Sequence, residues 1–190
     1  PALPVDDPIT LALLQNKTED GAALAFSNSY SDEFIFIHGR GQWYRWQKTH
    51  WAEDTTGQIV YEIRGMNRRI NQDGSATPAK ASFIRGVEYQ LKNDPAHARR
   101  IEVFDQNLNL LNTPEAVIDL STMTKMTHSP DQNMTQITAV SPSDANGARF
   151  RRFLSEITDG DTELQRFHQM SLGAILSGAV EEHWLLFWYG

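Results

Sequence analysis

The sequence predicts an α+β protein, predominantly helical, with a small N-terminal antiparallel β-meander and a C-terminal helical pair that leads to a strand. Three observations carry this. An aromatic run broken by turn residues fills positions 34–53. Apolar stripes at helical spacing start at Ile59 and at Phe83. A strongly amphipathic segment follows a polar break at Ala148.

In chain order, the first helix is expected over Thr18–Tyr30, with Leu24 and Phe26 as its apolar anchors. Phe34–His38 is a short apolar run that suits a buried strand. Gly39 and Gly41 supply a turn, Trp43–Trp46 the return strand, and Gln47–His50 a second turn before Trp51. Thr55 followed by Gln58 has capping-box spacing. The helix it opens puts Ile59, Ile63, Met66 and Ile70 on one stripe, so Arg64 and Arg68 turn away from it. Thr77-Pro78 looks like an N-cap with proline at the first helical position. In the helix that follows, Phe83, Val87 and Leu91 recur at i, i+4 and i+8. Asp94-Pro95 repeats the cap signal and predicts a short basic helix ending near Arg100.

From Ile101 the pattern changes. Asn107–Asn109 and Asn112–Pro114 are turn signals flanked by short extended pieces, with Ala116–Leu120 the best strand. Residues 129–146 are polar and read as loop. Phe150, Phe153, Leu154 and Ile157 then mark a helix that Gly160 ends, and Asp161 caps the next, whose apolar end at Leu176 predicts burial. This divides the chain into an accessory lobe (1–128), a linker (129–146), and helices with a closing strand (147–190).

The chain has 190 residues, 40% of them hydrophobic, and a formal net charge of -7. That suffices for a core and argues against a generally basic, DNA-coating protein, so any nucleic-acid contact must come from local basic patches. The absence of cysteine rules out disulfides and thiolate metal sites and fits a cytoplasmic location. No apolar run approaches the ~20 residues of a membrane span. The N-terminus, without a basic start or apolar stretch, does not read as a signal peptide.

The last residues, Trp184–Gly190, read as an apolar strand ending in glycine. A phosphate-binding loop begins this way: strand, glycine-rich turn, then a helix N-terminus aiming N–H groups at phosphate. Tyr189 and Gly190 would lead into that nucleotide loop, so the strand is one that enters a P-loop. Many parallel strands also end in glycine. The ordered set LLNTPEAVIDL, FRRFLSEITDGD, LGAILSG and WLLFWYG adds context, as does the opening YSDEFIFIHGRGQWYRWQKTHWAED. Together they resemble the region preceding the ATP-binding loop in superfamily 3 helicases of phage, plasmid and poxvirus primase–helicases. The resemblance spans about Thr18 to Gly190. Two positions depart from it: Glu115-Ala116 stands where the family favours Asn-Gly, and Ala174 where it favours tyrosine.

The resemblance implies a parent protein that is an ATP-dependent DNA helicase and primase. ATP and magnesium would be its cofactors, none of them held by this segment, and primase and helicase modules would share its polypeptide. It also implies assembly into a homo-oligomeric ring. The segment itself would be a non-catalytic accessory domain, with no membrane partner, that supports ring assembly and single-stranded DNA engagement. The rivals are a protein-interaction or loader module that never touches DNA, and a metal-dependent nuclease.

Candidate DNA-binding residues are Arg64, Arg68, Arg69, Arg85, Arg99 and Arg100, set against the plainer reading of a solvated helix surface interspersed with Glu62, Glu88 and Glu102. Trp43 and Trp46, interleaved with Arg40, Arg45 and Lys48, are candidates for stacking bases or for cross-strand packing. Arg149, Arg151 and Arg152 are candidates for a subunit or phosphate contact. The six histidines lack paired ligand spacing, and Asp159 and Asp161 read as helix caps, so no metal site is expected. No nucleophile elbow is visible, and no catalytic residue is assigned.

Overall fold

In the computed structural model the described residues are 17–70, 80–143 and 147–176. They form a mixed α+β structure with five α-helices and two small sheets. The expected Thr77-Pro78 cap and the closing strand at Trp184–Gly190, with Tyr189, lie outside the described residues.

Two compact units can be distinguished. The first comprises the described stretch up to Phe104 together with Ser129–Thr135. The second comprises Asp105–His128 and the described residues from Gln136 onward.

In the first unit, helix α1 is Glu19–Tyr30, and Thr18 caps it by accepting from the Gly21 N–H at 3.0 Å. Strands β1 (Phe34–Ile37), β2 (Gln42–Trp46) and β3 (Trp51–Glu53) make the antiparallel meander. Helices α2 (Gln58–Ile70) and α3 (Ala81–Asn93) follow, and then β4 (Ala98–Arg99) pairs parallel to β1. Strand β4 stands where the sequence suggested a basic helix. Asp94 caps a turn instead: its carboxylate accepts from the Ala96 N–H and its carbonyl from the N–H groups of His97 and Ala98, which swings the chain back along β1.

Strand alternation sorts the core into two faces. Phe34, Phe36 and Trp43 meet Phe26 of α1, Ile59 and Ile63 of α2, and Phe83, Val87 and Leu91 of α3. All three helices thus lie on one face of the sheet. Phe26, Ile63, Val87 and Leu91 are 0% exposed. Full burial of such a side chain stabilises by roughly 1.5–3 kcal/mol. Ile35, Ile37, Tyr44 and Trp51 point the other way and are covered by Ile101 and Phe104. The 129–135 segment joins that face through Trp51, whose backbone N–H reaches the Met134 carbonyl and whose indole reaches that of Pro130.

Two local expectations need correction. Asp54, not Thr55, caps α2: its carboxylate accepts the N–H groups of Gln58 at 2.8 Å and Ile59 at 2.9 Å. Partial burial pushes the Asp54 carboxyl up, but these backbone donors outweigh it and hold the group below the usual carboxylate range. Leu24 is exposed, so Phe26 alone of the two expected anchors lies in the core.

The second unit holds the hairpins β5 (Leu110–Asn112), β6 (Val117–Asp119) and β7 (Thr124–Met126), then helices α4 (Ala148–Ile157) and α5 (Thr162–Leu176). With Glu115-Ala116 in place of Asn-Gly, the β5–β6 turn is closed by Thr113, whose hydroxyl donates to the Ala116 carbonyl at 2.7 Å. Of the expected α4 stripe only Leu154 is buried; Phe150, Phe153 and Ile157 are each about half exposed. The expected burial of α5 is also corrected: only His168 and Ser171 are buried there, and Phe167, Met170, Ile175 and Leu176 are exposed.

Candidate nucleic-acid interface

On α2 the buried stripe is Ile59, Ile63 and Met66, which leaves Arg64, Arg68 and Arg69 exposed. On α3 the stripe is Phe83, Val87 and Leu91, which leaves Arg85 exposed. Each helix contains one acidic residue, and each is engaged toward the core. Glu62 of α2 accepts from the Tyr30 hydroxyl at 3.3 Å and from Gln58 at 3.2 Å. Glu88 of α3 accepts from the Trp43 indole at 3.1 Å and pairs with Lys92 at 2.7 Å. Burial, and then the Glu62 carboxylate, push the Tyr30 hydroxyl up to about 12. Because both glutamates are committed, Arg64, Arg68 and Arg85 form no ion pair among the described residues. An acidic chain thus presents local, uncompensated positive charge along the outer side of two adjacent helices.

The other candidates separate. Arg100 is exposed, whereas the Arg99 guanidinium is tied to the carbonyls of Pro95 and Ala98 at 2.8 and 2.9 Å. Trp43 is withdrawn as a stacking residue: it is 6% exposed, its ring meets Phe36 edge-on, and its indole N–H is held by Glu88. Trp46 packs against Trp51 with ring centroids 5.4 Å apart and is half-buried, so both tryptophans hold the sheet together. In the second unit, Arg149 lines an open groove with Gly147, Ala148, Phe150 and Phe153, Arg151 is exposed, and Arg152 is paired with Glu156 at 2.8 Å.

The structure also gathers a serine, a histidine and an aspartate that no local motif joins. Ser27 of α1 donates to Asp94 at 2.6 Å, and His97 lies 3.1 Å from the Ser27 oxygen. The arrangement is not a nucleophilic triad. In a triad the histidine bridges serine and carboxylate. Here the serine is the bridge, and the histidine Nδ1 donates to the Phe34 carbonyl at 2.7 Å. His97 is 0% exposed and Ser27 8%, so neither meets a substrate. The group instead ties α1, β1 and the Asp94 turn together. Burial pushes the His97 imidazole down, against the Phe34 carbonyl and Asp94. Burial pushes Asp94 up, but hydrogen bonds from Ser27 and Ala96 and the nearby His97 hold it below the usual carboxylate range. Among the described residues no three His, Asp or Glu side chains are placed to hold a metal ion. None of the described helices is long and apolar enough to cross a membrane.

Residues 23–159, well over half of the chain, match the family described as D5 N terminal like. The chain belongs to the D5 N-terminal-like family. This family is the N-terminal domain of D5-type primase–helicases of phages, plasmids and poxviruses, in agreement with the resemblance read from the sequence. No curated protein matches the chain significantly. The match covers the meander, the helical layer that carries the exposed arginines, both hairpins, and α4.

Proposed function

We propose that this D5 N-terminal-like domain is a non-catalytic accessory domain of a primase–helicase that engages single-stranded DNA through the outer faces of α2 and α3. The observation that carries this reading is the set of exposed arginines, Arg64, Arg68 and Arg85, on helices whose only carboxylates are already engaged. Unpaired guanidinium groups displace condensed counterions from a phosphate chain, and that release drives binding. Arg69 and Arg100 are also exposed and would add positive charge nearby, and Arg99 would do so only after leaving its carbonyls. In this reading the ATP and magnesium chemistry of unwinding belongs to a helicase module of the same polypeptide.

The exposed apolar faces of α4 and α5 support a second element of the proposal, contact with the helicase module during ring assembly. Phe150, Phe153 and Phe167 would supply the apolar contact and Arg149 a charged flank. The same faces favour the rival reading, a protein-interaction or loader module without DNA contact. Anisotropy titration with a labelled oligothymidine at several salt concentrations separates the two. The accessory reading expects affinity to fall with a log–log slope of roughly -0.7 per phosphate contacted. A loader module gives no saturable binding even at low salt.

A further inference from the structure

We propose that Tyr61 and Tyr89 are base-stacking residues of the DNA track on α2 and α3, which makes its ligand single-stranded nucleic acid in particular. The proposal rests on the DNA-contact reading above and deepens it. With Trp43 buried and Trp46 packed on Trp51, the expected stackers are occupied. Tyr61 and Tyr89 are 60% and 71% exposed, more than any other aromatic side chain among the described residues. Neither position is explained by the core, because each lies opposite its helix's buried stripe. Helix propensity does not explain them either, since tyrosine is an average helix former.

Their neighbours indicate the ligand. At helical spacing Tyr61 shares its face with Arg64 and Arg68, three and seven residues on, and with Gly65, four on. A Cβ built at Gly65 would meet nothing within 4 Å, so the surface beside the Tyr61 ring is open. Tyr89 shares its face with Arg85, four residues back, whereas the ammonium of Lys92 turns away to Glu88 at 2.7 Å and lies over the Phe36 ring at 5.2 Å. The carboxylate of Glu19 lies over Gly86 and is the acidic edge of this face. The same unit therefore occurs on two adjacent helices: an exposed ring beside an exposed guanidinium. A ring accepts the face of an unpaired base while the guanidinium meets the phosphate next to it. In a duplex the base faces are hidden, so the rings add nothing. An apolar protein partner would instead call for aliphatic neighbours, and Arg64, Arg68 and Arg85 stand in those positions.

The test uses the 190-residue chain, labelled oligothymidine and a duplex of the same length, with anisotropy read at several salt concentrations. Tyr61→Ala and Tyr89→Ala are each expected to weaken oligothymidine binding roughly tenfold while leaving the salt slope and duplex binding unchanged. Tyr61→Phe and Tyr89→Phe are expected to bind like the parent. Arg64→Ala is expected to lower the slope by roughly 0.7. Melting curves check that the exposed substitutions leave the fold intact. If the parent binds and Arg64→Ala weakens it while both alanine-for-tyrosine variants bind normally, the stacking inference is overturned and the DNA reading stands. Equal losses on single strand and duplex overturn it as well. So does a loss confined to binding of another protein. If the parent binds no DNA at low salt, the DNA reading itself fails.

Discussion

Tyr61 and Tyr89 stand on α2 and α3 beside arginines and no exposed aliphatic side chain of their own face, whereas Phe150, Phe153 and Phe167 stand on α4 and α5 with exposed Ile157, Met170 and Ile175, and Arg149 only flanks them. Both sets of rings are exposed, yet their settings differ in kind. The α2–α3 layer is anchored from beneath: Ile63, Val87 and Leu91 are fully buried, and the two carboxylates that would neutralise the arginines are engaged with Tyr30 and Trp43. Its outer face is surplus to folding. On α4 and α5 the residues that would form a core are themselves the exposed ones, and only Leu154, His168 and Ser171 are buried. Exposed aromatics on a satisfied helix point to a polar, charged ligand. Exposed aromatics on an unsatisfied amphipathic helix point to an apolar one.

The largest effect expected from this contrast is on stability. Ile63→Ala should destabilise the first unit by roughly 2–5 kcal/mol, because it opens a cavity in a filled core. Phe153→Ala should change stability by less than about 0.5 kcal/mol, as surface substitutions do. Urea unfolding of both variants checks this, and a large loss from Phe153→Ala would break the comparison. Next in size, the triple variant Arg64→Ala/Arg68→Ala/Arg85→Ala should reduce the salt slope of single-strand binding by roughly 2, at ~0.7 per lost contact, with melting unchanged. Asp54→Ala should cost about 1 kcal/mol by removing the acceptor for the Gln58 and Ile59 N–H groups. Fraying would then start at the turn that carries Tyr61, so a loss of DNA affinity should accompany it.

The smallest effect is the pH dependence of the first unit. The folded state lowers the His97 pKa below its ordinary 6.5, so between the two values the unfolded chain binds more protons. Stability from this group is therefore fully present above about pH 6.5 and falls as the solution is acidified. Asp54 and Asp94, whose folded pKa values lie below 3.8, add a second loss as pH drops below that value. Thermal melts between neutral and acidic pH should show the first decline in the parent and its attenuation in His97→Gln.

Much of the anchored layer was legible in the sequence because burial there obeys a strict period. Ile59, Ile63 and Met66, and again Phe83, Val87 and Leu91, fall on single stripes, and the aromatic run broken by Gly39 and Gly41 specified the meander. Strand β4 was not legible. It has two residues, and its pairing with β1 depends on where the Asp94 turn aims the chain rather than on any local preference. The α4 stripe was legible as a face, but the burial expected toward Leu176 of α5 is not met, because an apolar pattern says which residues point together but not what covers them. The composition of the aromatic run could not separate Trp43, which points into the helical layer, from a ring facing solvent. Tyr61 and Tyr89 were not legible as exposed rings for the converse reason: a tyrosine inside a helix carries no signal until the opposite stripe is seen to be full.

DNA contact by α2 and α3 is tested most directly by an amide chemical-shift map of the isotopically labelled chain titrated with oligothymidine. Shifts are expected to concentrate in residues 58–69 and 81–93, with Tyr61, Arg64, Arg85 and Tyr89 among the largest, while 148–176 stays unperturbed. Shifts confined to 148–176, or absent altogether at saturating oligonucleotide, would contradict that contact.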